Sequence, residues 1–177
     1  MKLGELDSID GKILGMLQAN CKMPWGKIAE QVGLSAPSVI ERVRKMEERG
    51  IIRGYHALLD GRSLGLDVTA FIGVIVERHE SLERLEKQIE ALANVLECHH
   101  VTGEYTLLLK VKTRDTASLE TLIQRIRKVP GVSRTETMVV LSTHTERVQL
   151  HLEESPFLDP KRSRRTERNF AEAREAR

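Results

Sequence analysis

Residues 25–52, WGKIAEQVGLSAPSVIERVRKMEERGII, decide how the rest of the chain is read. Their apolar spacing predicts a short helix over 25–32, a tight turn through Gly33, Leu34 and Ser35, and a longer helix ending at Gly50. Ala29, Gly33 and Val39 supply what a helix-turn-helix needs: a small residue where the helices touch, one that tolerates φ > 0 at the turn, and an apolar plug. Ser35 is a candidate N-cap, and Pro37 falls in the first turn, where its missing N–H does little harm. Val39, Val43 and Met46 recur at i, i+4, i+7 and face inward, with Ile40 at the border. The opposite face then presents Ala36, Ser38, Glu41, Arg42 and Lys45. Small residues at the helix start let its N-terminus enter a major groove closely, and the cations further along reach phosphates. An ordinary amphipathic pair with a solvated charged face is the alternative.

Upstream, Asp7 is placed to cap a first helix in which Ile9, Ile13, Met16 and Leu17 form an apolar stripe, with Leu14 beside it. That helix would complete a three-helix core. Downstream, IIRGYHALLD suggests two short strands around Arg53 and Gly54, a hairpin in the position of a wing. Arg53 at its tip is then a candidate phosphate contact, or simply a surface turn.

Residues 61–66 are rich in Gly and lack apolar periodicity, as a linker does. The pattern beyond them is strand (68–77), helix (from Ser81), strand (95–102), strand (105–113), helix capped by Asp115 or Thr116, strand (132–142). This is the ferredoxin-like βαββαβ order, a four-stranded antiparallel sheet with both helices on one face. The expected fold class is therefore α+β, a winged helix-turn-helix followed by a ferredoxin-like sandwich. Domains are expected at 1–60 (winged helix-turn-helix, DNA binding), 61–66 (linker), 67–150 (ferredoxin-like, oligomerisation) and 151–177 (basic tail). On the bare sheet face, Phe71, Ile75, Leu107, Leu109 and Val139 are expected to meet a second copy of the chain, giving a homodimer. A twofold partner would read a second half-site about one helical turn away.

Composition bounds the rest. A 177-residue chain with 40% hydrophobic and 31% charged residues describes a soluble globular protein. Its net charge of +2 is too small for the whole-molecule field to attract nucleic acid, so any basic footprint must be local. Cys21 and Cys98 lie in no metal or redox spacing and read as reduced thiols. With no leader-like N-terminus and no apolar run of membrane length, the expected location is the cytoplasm, with no membrane partner.

Leu6-Asp7, Asp10, Ile13-Leu14 and Leu17, then Ile28-Ala29, Val32-Gly33-Leu34-Ser35, Glu41-Arg42-Val43, Met46-Glu47, Gly50-Ile51-Ile52 and Gly54-Tyr55 stand in one recognisable order. Glu97-Cys98, Val101, Gly103, Leu108-Leu109 and Pro130-Gly131-Val132 continue it. In this order the chain resembles the leucine-responsive and asparagine regulators (Lrp/AsnC, or feast/famine) over most of its length. The resemblance implies a sequence-specific regulator of transcription binding a pseudo-palindromic operator in double-stranded DNA. It also implies dimers assembled into octamers or related rings, and an amino-acid or similar effector bound between dimers, with no cofactor. Many members of that family carry Gly-Asp-aromatic-Asp between the second and third strands of the sheet. Here the turn reads Gly103-Glu104-Tyr105-Thr106, with one acid lengthened and the other lost. These four are the candidate effector residues, and a solvated turn is the alternative for Glu104.

The tail beyond Leu150 carries Lys161, Arg162, Arg164, Arg165 and Arg168 among few apolar residues, and is expected to be disordered or a loose helix from Arg164. It would add non-specific phosphate contacts by counterion release, or merely solubilise the chain. Cys98, His99 and His100 alternate across a strand and would need further ligands from elsewhere to hold a metal. The βαββαβ order also occurs in RNA-recognition domains, but 3% aromatic content gives no stacking platform. Sirohaem decarboxylases resemble the same two-domain plan and supply the enzyme alternative, with His99, His100 and Arg78 as the nearest candidates.

Overall fold

The structure is a computed structural model that describes residues 6–77, 82–152 and 158. Residues up to Ala57, joined by the described residues from Arg147 onward, form one unit, and Leu58–Glu146 forms the other.

The first unit is built on α1 (Ser8–Ala19), α2 (Trp25–Val32) and α3 (Ala36–Glu48). Each begins and ends where local chemistry dictates. The Asp7 carboxylate accepts the N–H groups of Ile9 and Asp10, both at 2.8 Å, and Asp10 returns a bond to the Asp7 N–H at 3.1 Å. Two orphan donors of the first turn are thereby satisfied reciprocally. Gly33, at φ 69°, ends α2 in the left-handed region, and the Leu34 N–H closes the turn on the Ala29 carbonyl at 3.0 Å. Ser35 then caps α3 by accepting the Ser38 N–H at 3.3 Å. Ile13, Leu14, Leu17, Ile28, Ala29, Val39, Val43 and Met46 form the core, with Ile9, Met16, Val32, Ile51 and Ile52 packed at its rim.

The hairpin expected after α3 is not formed, and no strand lies between α3 and the sheet. The reason is local competition. The N–H groups of Ile51 and Ile52 both turn back to the Met46 carbonyl, at 2.9 and 3.2 Å, past Gly50 at φ 68°. Their side chains pack on the helical core rather than on a partner strand. Tyr55 donates to Glu47 Oε1 at 2.8 Å, tying the extended segment to α3. Burial and that carboxylate push the Tyr55 phenol up to about 12.

The second unit contains β1 (Val68–Val76), α4 (Leu82–Glu90), β2 (Val95–His100), β3 (Leu107–Thr113), α5 (Thr116–Arg127) and β4 (Val132–Val139). Its strands lie in the order β2-β3-β1-β4, all pairs antiparallel. Asp115 is the cap of α5, accepting the Ser118 N–H at 2.7 Å. Alternation along β1 puts Ala70, Ile72, Val74 and Val76 under the helices, against Leu85 and Ile89 of α4 and Leu119, Leu122 and Ile126 of α5.

Register corrects the expected membership of the open face. Ile72 lies directly opposite Leu109, and Val74 opposite Leu107. Cross-strand partners share a face, so both leucines point under the helices, where neither is exposed. Val139 is opposite Ala70 and belongs to the same side by parity. The open face carries Phe71, Gly73 and Ile75 of β1, Leu108 and Lys110 of β3, and Arg134, Glu136 and Met138 of β4. Leu109→Ala should therefore cost about 2–5 kcal/mol in urea unfolding, as a core cavity does. A loss under about 1 kcal/mol would return Leu109 to the surface.

Candidate nucleic-acid interface

The rotation of α3 is set by Val39, Val43 and Met46, which are 0%, 3% and 1% exposed. Directly opposite them the helix presents Pro37, Glu41, Arg44 and Glu48, with Ser38 and Lys45 on one flank and Ile40 on the other. Of the residues expected here, Ser35, Ser38, Glu41 and Lys45 are exposed and Ala36 is half-buried. Ser35 and Ser38 share a hydroxyl–hydroxyl bond of 2.8 Å at the helix start. Arg44 was not among the expected residues. It shares the outward stripe with Glu41 at i+3, and the i, i+4, i+7, i+11 series through Pro37, Glu41, Arg44 and Glu48 is the signal that identifies it. Arg53 is exposed on the extended segment rather than at a hairpin tip.

The outward charges are balanced. Arg44 donates to both oxygens of Glu41, at 2.8 and 3.0 Å, and pairs with Glu48. Lys45 Nζ lies 3.5 Å from Glu41 Oε1. The Arg44 guanidinium, with Lys45 beside it, holds the Glu41 carboxyl below the usual carboxylate range. These are solvent-exposed pairs of small net worth, which a polyanion can displace at little cost.

Arg42 is placed differently from the expectation that it reaches phosphate. Its Nη1 donates to Asp7 Oδ2 and to Asp10 Oδ1, both at 2.8 Å. Asp10 is only 8% exposed, so this guanidinium neutralises a nearly buried acid. It thereby ties the capping box of α1 to the middle of α3. Burial pushes the Asp7 carboxyl up, but the Asp10 N–H, Arg42 and the Ile9 N–H together outweigh it and hold the group below its ordinary range.

In the second unit, residues 101–106 connect β2 to β3. Gly103 adopts φ 111°, Glu104 is exposed and Tyr105 is half-buried. The Tyr105 ring lies over Gly73, where an added Cβ would come within 2.5 Å of it. Its phenol meets Glu136, and burial together with that acid raises it above the ordinary tyrosine range. Thr106 extends the pairing of β1: its N–H donates to the Val74 carbonyl at 2.9 Å and its hydroxyl accepts the Val76 N–H at 3.2 Å. Only Glu104 of the four thus projects clear of the sheet, and Tyr105 and Thr106 are held by the fold.

Alternation along β2 puts Cys98 and His100 on the helix side, opposite Leu109 and Leu107, and His99 on the other. An open cleft of ≈ 420 Å³ lies there, lined by Glu86, Glu90, Val95, Leu96, Glu97, Cys98 and His100. Burial, then the charges of Glu86 and Glu90, pushes the Cys98 thiol up, away from thiolate. Among the described residues no group of three or more His, Cys, Asp or Glu is arranged to hold a metal ion. No helix among them is long and apolar enough to cross a membrane.

Comparison with known proteins matches residues 6–47 to the AsnC-type helix-turn-helix domain and residues 69–150 to the Lrp/AsnC ligand binding domain. The HTH-type transcriptional regulator FL11 of Pyrococcus horikoshii is 34% identical over 145 residues, 82% of this chain and 95% of that protein. Among solved structures, AsnC of Escherichia coli superposes with a TM-score of 0.76 at 32% identity, covering 81% of this chain and 97% of that one. A complex of the regulator NMB0573 of Neisseria meningitidis with L-Met gives 0.78 at 30% identity, over 83% and 97%. These relatives are regulators, and the sirohaem-decarboxylase reading finds no support.

Acid unfolding tests the Arg42 clamp. Asp7 has a depressed folded pKa, so its stabilisation is fully present above the unfolded value of 3.8 and is lost as pH falls through the lower folded value. Arg42→Ala brings the two values closer together and leaves Asp10 uncompensated. The variant should lose about 1–3 kcal/mol at neutral pH and unfold at higher pH than the parent. An unchanged acid midpoint would mean the clamp contributes nothing.

Proposed function

The chain belongs to the Lrp/AsnC family of DNA-binding transcriptional regulators, and from that premise we propose that it grips a pseudo-palindromic operator with α3 from each of two copies and answers to an amino acid or related metabolite. The observation that carries this reading is the exposed outward face of α3, small at its capped N-terminus and carrying further on Arg44 and Lys45 in solvent-exposed ion pairs that a polyanion can displace. Ser35, Ala36, Ser38 and Glu41 stand where base edges and the adjoining backbone pass, and Lys45 and Arg53 stand toward phosphates. Glu41 is an acceptor for a cytosine amino group once its surface cations turn to the backbone. Arg42 acts through Asp7 and Asp10 as a positioning residue rather than as a contact.

The domain reading follows the same lines: 1–60 binds DNA, 61–66 links, and 67–150 senses and assembles. Phe71, Ile75, Leu108 and Met138 give the open sheet face an apolar centre suited to a second copy, with octamers or other rings as the higher assembly. An amino-acid effector is supported by the L-Met complex of the Neisseria relative, and Gly103, Glu104, Tyr105 and Thr106 are the proposed contacts. Glu104 is the member of that set available to an ammonium group. It is also where this chain departs from the acidic pair of its family, so the effector need not be methionine.

Selection and sequencing of duplexes retained by the purified protein, with and without a panel of amino acids, tests the whole reading. The expected outcome is an inverted repeat with half-sites about one turn apart, and altered retention with at least one amino acid. Absence of any enriched sequence would contradict it. On the recovered site, Lys45→Ala should lower the slope of log K against log salt by about one unit, and Arg42→Ala should leave that slope unchanged. Glu104→Gln should abolish the response to the effector while leaving binding without it intact.

A further inference from the structure

A cavity of ≈ 300 Å³ lies at the end of the sheet where the chain enters β1, and all of its lining belongs to the second unit. Residues 60–62 wall it on one side. Opposite them stand Thr69 of β1, Lys112 of β3 and residues 140–143, which the Val140 N–H ties to the Thr69 carbonyl at 2.9 Å. The turn that carries Glu104 joins β1 at Val74 instead. Strand from Thr69 to Val74, about 17 Å of it, separates the two places.

The charges around this cavity divide into those already engaged and those left over. Asp60 accepts the Ser63 N–H at 2.6 Å, where a short 3₁₀ helix, Arg62–Leu64, begins. Glu146 is taken up by Lys110. Arg62, Lys112 and Asp67 remain, and none of their charged groups has a hydrogen-bonded or ion-paired partner among the described residues. The bonds from Ser63, and then the charges of Lys112 and Arg62 at longer range, hold the Asp60 carboxyl below its ordinary range, so both cations are felt at this wall.

A glycine brings Lys112 there. A Cβ at Gly61 would lie 2.2 Å from the Lys112 Cε and 2.7 Å from its Nζ, so the bare backbone at 61 leaves room for the ammonium to lie against it. Two unengaged cations and one unengaged carboxylate on one cavity describe a ligand with both signs of charge. A carboxylate set between a guanidinium and an ammonium makes charge-assisted hydrogen bonds, and Asp67 is the matching acceptor for an ammonium group. A plain anion would meet Asp67 unrelieved, and a plain cation would meet Arg62 and Lys112. The volume is at the small end of the range for metabolite sites.

We propose that this cavity is a second metabolite site, for a free amino acid held by its carboxylate on Arg62 and Lys112 and by its ammonium group on Asp67. One wall is a segment that leads to the first unit and the other is the sheet, so an occupant pins that segment to the sheet. The proposal rests neither on DNA binding nor on Glu104.

Equilibrium dialysis of the full-length protein against each of the free L-amino acids reads the site directly, with Glu104→Gln in place so that the distant turn contributes least. At least one amino acid should be retained, and Arg62→Gln with Lys112→Gln should weaken its binding about tenfold or more. Gly61→Ala displaces the Lys112 ammonium without changing any charge and should weaken binding several-fold. Asp67→Asn should weaken the amino acid several-fold while inorganic phosphate binds no more weakly than before. Retention of no amino acid, or retention that the paired substitution leaves unchanged, overturns the proposal. So does inorganic phosphate that competes as strongly as the amino acid, which would make this a plain anion site. Limited trypsin digestion of the parent needs no variant: the retained amino acid should slow cleavage after Arg62 several-fold relative to cleavage after Arg53. An unchanged rate overturns the pinning. Neither measurement contains DNA, so their outcome and that of the operator selection are independent.

Discussion

Three buried side chains on one stripe of α3 constrain nearly everything else in the DNA-binding unit. Val39, Val43 and Met46 are almost wholly removed from water, which at roughly 25 cal/mol per Å² of apolar area outweighs any single surface contact on the helix. With those three inward, helical geometry leaves no choice about which residues face out. The turn at Gly33 fixes where α3 begins, and the Arg42 bonds to Asp7 and Asp10 fix its azimuth against α1. Apolar packing thus supplies the rotation and one charged clamp supplies the register between helices. Neither requires the outward residues, which are left free to be chosen for what they touch.

The sheet unit divides its labour by the same logic at a different period. Every second residue of β1 is committed to the helices, which leaves Phe71, Gly73 and Ile75 to the other side. Glycine at 73 makes room for the Tyr105 ring, so the turn carrying Glu104 is seated on the open face by an aromatic contact and a threonine that pairs with β1. The turn is held by Tyr105 and Thr106, and the acid just before them remains exposed.

Element order, caps and cores were legible in the sequence because they rest on short-range spacing: Asp7, Gly33, Ser35 and Asp115 each act within four residues. What required the third dimension was parity and partnership. Leu107 and Leu109 lie in an apolar run without clear alternation, and only cross-strand register assigns them to the helix side. Arg42 borders the buried stripe of α3 on a helical wheel, yet its partners are 32 and 35 residues away, beyond any local pattern. The hairpin after Gly50 was suggested by β-branched residues that the cap of α3 claims instead. The return of the chain onto Gln18 crosses more than 130 positions and has no local signature.

The central claim is that the outward face of α3 lies in a major groove, one copy per half-site, with its angle of entry set by α1. Methylation interference on the recovered operator addresses this most directly, because a methyl group on guanine N7 projects into the major groove and one on adenine N3 into the minor. The account predicts interference at guanine N7 in two clusters about one helical turn apart, with little effect from adenine N3 inside either cluster. Interference confined to adenine N3, or a single cluster without a twofold mate, would contradict it.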